Sequence, residues 1–364
     1  MKIQSIDTYS VAVPLHTPFK TALRTVTVAE SIYVKVTCDN GITGWGEAPP
    51  THVITGESLV SIEHTLNHII APVITGESVF NREALFEKLH NSCVGNTSAK
   101  AAMDIALYDC FAQHCQLPLY QLLGGYRNQM ETDYTVSVNE PDEMADDAER
   151  YIQNGFNILK VKVGKDTIEK DIERILTIKK RIGNGAQIRL DANQGWTAKE
   201  AIYAIRRMEN LGLPIELVEQ PVKAHDIEGL KQVTDQTYTP IMADESVFSP
   251  EDARRVVATR SADLINIKLM KAGGIHRALQ INHLAESFGV ECMVGSMIET
   301  KLGITAAAHL AASQKNITKV DFDAPLMLTK DPVEGGVAYQ QAMMTLSDSP
   351  GLGIRNVQLE HVHA

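Results

Sequence analysis

One alternation constrains this chain more than any other feature. From about Tyr126 onward, short apolar runs that read as strands are separated by amphipathic stretches that read as helices. The strands are expected at 132–138, 158–163, 188–192, 216–220, 240–245, 264–269, 290–295 and 317–323, with seven helical stretches between them and a period near 25 residues. Strand–helix alternation predicts parallel strands joined by crossover helices, and eight of them predict a closed (β/α) barrel. An open doubly wound sheet is the alternative, but the glycine-rich phosphate loop expected after its first strand is missing.

Local signals agree with the alternation. The stretch from Asp166 to Ile182 places Ile168, Ile172, Ile175, Leu176 and Ile182 on one stripe. Thr197-Ala-Lys-Glu200 has the form of a capping box, and Ser249-Pro250 puts proline at a first helical position. Gly155, Gly183, Gly212 and Gly289 stand where helices should end.

The first ~125 residues have a different texture. Two strand-like runs lead to a hairpin turn at Asn40-Gly41, and helices follow near 58–70, 81–92 and 98–115. After the eighth strand only ~40 residues remain, expected to cross back to the first block. The 364 residues, at ~150 per domain, fit this division. It gives an α+β capping domain at 1–125, a (β/α)7β barrel at 126–324 and a returning tail at 325–364.

Composition excludes several classes. The formal net charge of −11 argues against nucleic acid or an anionic membrane as partner. No apolar run approaches the ~20 residues of a membrane span, and the N-terminus reads as a strand rather than a signal peptide. The cysteines (Cys38, Cys93, Cys110, Cys115 and Cys292) form no CxxC, so a reducing cytoplasm is the expectation.

Charges inside apolar strands carry the chemistry. Lys160 and Lys162 are two apart and share a face. Asp191, Glu219, Asp244 and Lys268 follow Lys162 at steps of 29, 28, 25 and 24 residues, one strand–helix repeat each. Strands two to six therefore each end in a charge, at the barrel face where active sites are built. A single Asp there would be a cap and a single Lys a solvated side chain; an ordered run of five is neither. Three carboxylates without His or Cys form a hard oxygen site suited to Mg²⁺. With that ion's +2 and three lysines set against the three carboxylates, the pocket becomes net positive and calls for an anionic ligand. A carboxylate bound there would have its α-proton acidified. Lys162 and Lys268, on opposite sides of a barrel, could exchange that proton on opposite faces of one carbon, provided that neighbouring cations and desolvation lower a lysine pKa. That suits racemisation or epimerisation.

The segments KVKVG, LDANQGW, VEQP, ADES and NIKLMKAGG resemble the enolase superfamily in its muconate-lactonizing subgroup, over the whole chain. The resemblance implies Lys162 and Lys268 as acid/base lysines and Lys160 as a supporting cation. It implies Asp191, Glu219 and Asp244 as ligands of one Mg²⁺ per subunit. Within the subgroup the chain is most similar to dipeptide epimerases, above all the L-Ala-D/L-Glu type. VDFDAP offers Asp321 and Asp323 as partners of a dipeptide ammonium group. PFKTALRT (18–25) resembles a loop over the barrel mouth in which Arg24 pairs with a substrate side-chain carboxylate. GSMIET resembles the segment whose Ser296 and Ile298 contact the dipeptide backbone, and Thr135 is a further candidate for the pocket wall. Trp45 and the flexible-looking ITGES (54–58) are second-loop elements without a catalytic role. The resemblance also implies a homo-oligomer and a place in cell-wall peptide catabolism.

The same lysines and carboxylates would serve an N-acylamino acid racemase, an o-succinylbenzoate synthase or a muconate cycloisomerase. Asp321 and Asp323 set these aside, since such substrates carry no free ammonium. An acid-sugar dehydratase would use a late histidine base where this chain has Lys268. A non-catalytic binding barrel would not need both lysines.

Overall fold

The computed structural model describes residues 1–359. The chain opens with a three-stranded antiparallel sheet of β1 (Ile3–Lys20), β2 (Thr25–Cys38) and β3 (Thr43–Ala48). Asn40-Gly41 makes the expected turn between β2 and β3, with Gly41 at a φ of 83°. Short helices α1 (Leu59–His64) and α2 (Ala71–Ile74) flank a π-helical stretch, Thr65–Ile70. Then come α3 (Arg82–Asn91), α4 (Thr97–His114) and α5 (Leu119–Leu123). Helix α4 lies directly on β3: a Cβ at Gly46 would meet the Ala102 carbonyl oxygen at 1.9 Å, and one at Gly44 the Ala106 oxygen at 2.1 Å.

After a short β4 (Gln129–Glu131) the alternation begins. The order is β5 (Tyr134–Val136), α6 (Pro141–Gln153), β6 (Ile158–Lys162), α7 (Ile168–Ile182), β7 (Gln187–Asp191), α8 (Ala198–Asn210), β8 (Ile215–Glu219), α9 (Ile227–Gln236) and β9 (Ile241–Ala243). It continues with α10 (Pro250–Thr259), β10 (Leu264–Lys268), α11 (Leu269–Ala272), α12 (Ile275–Ser287), β11 (Glu291–Gly295), α13 (Lys301–Ser313) and β12 (Ile317–Val320). All eight expected strands are present, parallel and in sequential order from β5 to β12. They form the barrel, with Leu217, Met242, Leu264 and Met293 packed as a separate apolar cluster. The seam between β12 and β5 is bridged by side chains: Phe322 N–H donates to Thr132 Oγ1 at 2.9 Å, and Thr135 N–H to Asp323 Oδ2 at 2.6 Å.

The tail carries β13 (Val333–Gly335), β14 (Ala338–Gln340), β15 (Met343–Thr345) and β16 (Ile354–Val357). Strand β15 pairs with β4, and Leu328 bridges to Leu15 of β1. Leu352 N–H donates to Asp109 of α4 at 2.9 Å. Among the described residues no helix is long and apolar enough to cross a membrane.

Several expectations need correction. Leu176 is exposed, and the buried stripe of α7 passes instead through Ile178, because 3.6-residue spacing from Ile175 reaches 178 rather than 176. Segment 18–25 is not a free loop: β1 runs to Lys20 and β2 starts at Thr25, leaving a hairpin tip. Glu57, in the stretch that reads as flexible, is buried and caps α4, accepting from Ser98 and Ala99 N–H at 2.9 and 3.0 Å. Trp45 packs against Tyr9 and Lys35 on the N-terminal sheet.

Candidate active site at the barrel mouth

Register places the charges. Lys162, Asp191 and Glu219 are neighbours at one level across β6, β7 and β8, at the C-terminal ends. Asp244 lies just beyond β9, and Lys268 ends β10. In an eight-stranded order the strands of Lys162 and Lys268 are four apart, so they stand on opposite walls. One cavity is lined by Lys160, Lys162, Lys268, Thr135, Asp321 and Asp323. Arg24 closes it from the hairpin tip, and Ser296 and Ile298 from the segment after β11. Every expected substrate-binding residue thus faces the same space as the lysines.

The side chains form a dense ionic lattice. Lys162 Nζ lies 2.6 Å from Asp191 Oδ2, and Lys268 Nζ 2.7 Å from Asp244 Oδ2. Lys160, fully buried, sits between Asp321 (2.6 Å), Glu219 (2.8 Å) and Asp191 (3.4 Å). Burial disfavours the Lys268 ammonium, yet Asp244 outweighs it and holds the group above the ordinary lysine value. Lys160 is held up in the same way, burial being overcome by Asp321 and Glu219. With the carboxylates turned onto the lysines, Lys268 is thus held up rather than lowered, and Lys160, expected as a supporting cation, is kept charged.

The carboxylates divide into two groups. Asp191 and Asp244 are held below the usual range: burial opposes this, but lysines on either side prevail. Asp321 is likewise drawn down to about 2, burial being outweighed by Lys160 and Lys162. Glu219 is pushed up to about 7 by burial despite Lys160. Burial and the neighbouring Asp321 push Asp323 up to about 7. The two aspartates thus differ: Asp321 is spoken for by Lys160, while Asp323 binds only neutral donors around Thr135. Both lie beyond the end of β12, which stops at Val320 rather than 323.

As they stand, no three Asp, Glu, His or Cys side chains among the described residues converge tightly enough to hold a metal ion. The strand-end carboxylates are each turned onto a lysine. The donor set nevertheless fits a hard divalent cation. Asn193 Oδ1, Glu219 Oε2, Asp244 Oδ1 and Glu245 Oε2 are buried oxygens that accept no hydrogen bond. Two of them lie beside an ammonium, Glu219 Oε2 by Lys160 and Asp244 Oδ1 by Lys271, but without hydrogen-bond geometry. Such oxygens are costly to bury unless a cation takes them up.

Sequence reasoning missed part of the site. Asn193 and Glu245 line the cavity, as do Leu23 and Val53; Ile54, from the ITGES stretch expected as a second-loop element, lines it too. Lys271 is buried behind Asp244, 2.7 Å from its Oδ1 and 3.0 Å from the Val247 carbonyl. It belongs to the NIKLMKAGG segment, but no strand periodicity extends into the one-turn helix that carries it.

Lysines on opposed barrel strands with buried, unpaired oxygens between them form an arrangement suited to acid–base chemistry beside a divalent cation. Comparison with known proteins agrees. The family described as "Mandelate racemase / muconate lactonizing enzyme, N-terminal domain" matches residues 3–124, and "Enolase C-terminal domain-like" matches 143–357. The chain is 62% identical over 354 residues to the L-Ala-D/L-Glu epimerase of Bacillus subtilis (strain 168), covering 97% of each. A substrate-liganded complex of the epimerase from that species superposes with a TM-score of 0.97 at 61% identity, over 98% of this chain and 99% of that one. A dipeptide epimerase from Enterococcus faecalis V583, complexed with Mg and L-Leu-L-Tyr, gives 0.95 at 47% identity, over 98% and 100%. The chain belongs to the mandelate racemase/muconate lactonizing enzyme family of the enolase superfamily.

Proposed function

We propose that this protein is an isomerase, a dipeptide epimerase that interconverts L-Ala-D-Glu and L-Ala-L-Glu. The observation that carries the reading is the shared cavity of Lys162, Lys268, Asp323 and Arg24. Opposed lysines suit proton exchange, the aspartate suits an ammonium, and the arginine suits a side-chain carboxylate. The similarity to dipeptide epimerases supports it.

Asp191, Glu219 and Asp244 would hold one Mg²⁺ per subunit. When bound, that ion supplies positive charge to the substrate α-carboxylate and takes up the carboxylate charge that holds Lys268 protonated. The rest falls to the chain. One lysine of the Lys162/Lys268 pair, once neutral, removes the α-proton of the second residue; the other delivers a proton to the opposite face. Lys160 offers an ammonium toward the oxygens onto which the carbanion charge spreads. Asp323, with Asp321 beside it, receives the dipeptide ammonium. Arg24, whose guanidinium is lowered from its ordinary value by burial, gains from a carboxylate partner. Thr135, Ser296 and Ile298 shape the wall against the dipeptide backbone.

The division into a capping domain (1–125), barrel (126–324) and returning tail (325–364) belongs to the same reading. So do a cytoplasmic location, a homo-oligomer and a role in consuming cell-wall peptide. The deciding experiment is NMR of L-Ala-L-Glu in D₂O with Mg²⁺. Loss of the Glu α-proton signal and growth of the D-Glu epimer are expected; an unchanged α-proton overturns the reading.

A further inference from the structure

Ser296, Met297 and Ile298 form one wall of the cavity, and the groups that hold this wall do not touch the cavity themselves. Glu299 is buried, and its Oε1 accepts the Met297 N–H at 2.9 Å, so its side chain folds back over the segment's own backbone. Thr300, the N-cap of α13, donates both its N–H and its hydroxyl to Glu47, at 2.9 and 2.7 Å. Gly303 N–H reaches Glu47 Oε2 at 2.8 Å, and the Ser31 hydroxyl reaches Oε1 at 2.7 Å. Glu47 comes from β3, in the N-terminal sheet. The Tyr33 hydroxyl of β2 adds a 2.5 Å contact to Thr300 Oγ1.

The two carboxyl groups meet over α13. A Cβ at Gly303 would lie 2.3 Å from Glu299 Oε2 and 3.1 Å from Glu47 Oε2. Neither carboxyl forms an ion pair among the described residues. Burial, and then the neighbouring Glu47, push Glu299 up to about 8. Burying two acids side by side costs stability, which the hydrogen bonds that they accept from Ser31, Met297, Thr300 and Gly303 offset in part.

We propose that Glu299 and Glu47 are positioning residues. Through the backbone of 296–300 they fix the Ser296–Ile298 wall from the N-terminal sheet, so that the grip on the dipeptide is set by groups that never contact it. The proposal rests on the cavity being the dipeptide site.

Two measurements test it. The first is the KM and kcat of epimerisation for Glu299→Ala and Glu299→Gln. The alanine variant removes the acceptor of Met297 N–H and should raise KM about tenfold, with a smaller loss in kcat. Glutamine keeps a neutral oxygen acceptor and should recover most of that loss. The second is amide hydrogen exchange of segment 296–303, which needs no substrate. Faster exchange there, with α8 unchanged, is expected for Glu299→Ala and for Glu47→Gln. If Glu299→Ala does not fold, Glu47→Gln carries both measurements, with KM expected to rise. An unchanged KM and unchanged local exchange overturn the proposal, as does a KM rise that glutamine fails to relieve. If the wild type epimerises no dipeptide, the functional reading fails instead, and the exchange data still decide whether the two acids hold the wall.

Discussion

At the scale of single residues, the site makes asymmetric demands. Lys162→Ala and Lys268→Ala should each lower epimerisation by ~10²–10⁴ while leaving the fold intact. Solvent-deuterium incorporation into each dipeptide epimer, followed by NMR, is the measurement. Each variant should retain exchange from at most one epimer, and equal residual exchange from both would remove the two-lysine scheme. Arg24→Met should weaken acidic dipeptides by about tenfold or more in KM and leave dipeptides with an apolar second residue little changed. Steady-state kinetics on L-Ala-L-Glu and L-Ala-L-Leu separate the two. The lysines and strand-end carboxylates were legible because strand spacing places i and i+2 on one face, and because one repeat per charge is a countable signal. Lys271 was not, since it lies past its strand in a one-turn helix, and Glu245 was not, since alternation points the residue next to Asp244 to the opposite face. Nor could spacing reveal that Lys160 already engages Asp321, which leaves Asp323 as the less committed carboxyl. That pairing depends on the barrel bringing β6 beside β12 across its interior.

At the scale of elements, helices with a wet face showed which side they bury, whereas α4, expected at 98–115 and found there, did not. In α8 the reciprocal bonds of Thr197 and Glu200 form as expected. Thr197→Ala should cost about 1 kcal/mol, read as a lowered denaturation midpoint. Helix α4 shows weak periodicity because nearly every residue in it is buried, between β3 on one side and α11 and α12 on the other. A stripe exists only where a helix has a wet face. Helix α13 carries a pH signature. His309 is buried; its Nδ1 accepts from Tyr120 N–H at 2.9 Å, and burial pulls its pKa down to about 4. The folded value lies below the unfolded ~6.5, so the unfolded chain binds the proton first. The stability that neutral His309 provides is complete above pH ~6.5 and is lost as pH falls toward 4. Thermal melts between pH 7 and 5 should show this decline, shared with His90, which burial pulls down to about 3, and His309→Gln should lessen it; an equal slope in both proteins would remove His309 from the account.

For the molecule as a whole, the N-terminal sheet and the barrel are joined through α4. Asp104 of that helix caps α12, receiving Ile275 N–H at 2.6 Å, while Asp109 receives Trp45 N–H at 3.1 Å and Leu352 N–H at 2.9 Å. Gly46→Ala would drive a methyl group into the Ala102 carbonyl. It should destabilise the protein by ~1–3 kcal/mol or more, with the two parts still melting in one transition. Calorimetry that resolved two transitions in the wild type would contradict that coupling. The barrel order was legible from the alternation alone. Closure was expected too, but not its means: the β12–β5 joint relies on Thr132 and Asp323 side chains rather than on a ladder. That joint has a consequence for how the cylinder yields. One of its fastenings is the Asp323 carboxylate, which also lines the cavity, so a cation drawn to Asp323 would compete for the oxygen that accepts Thr135 N–H across the joint.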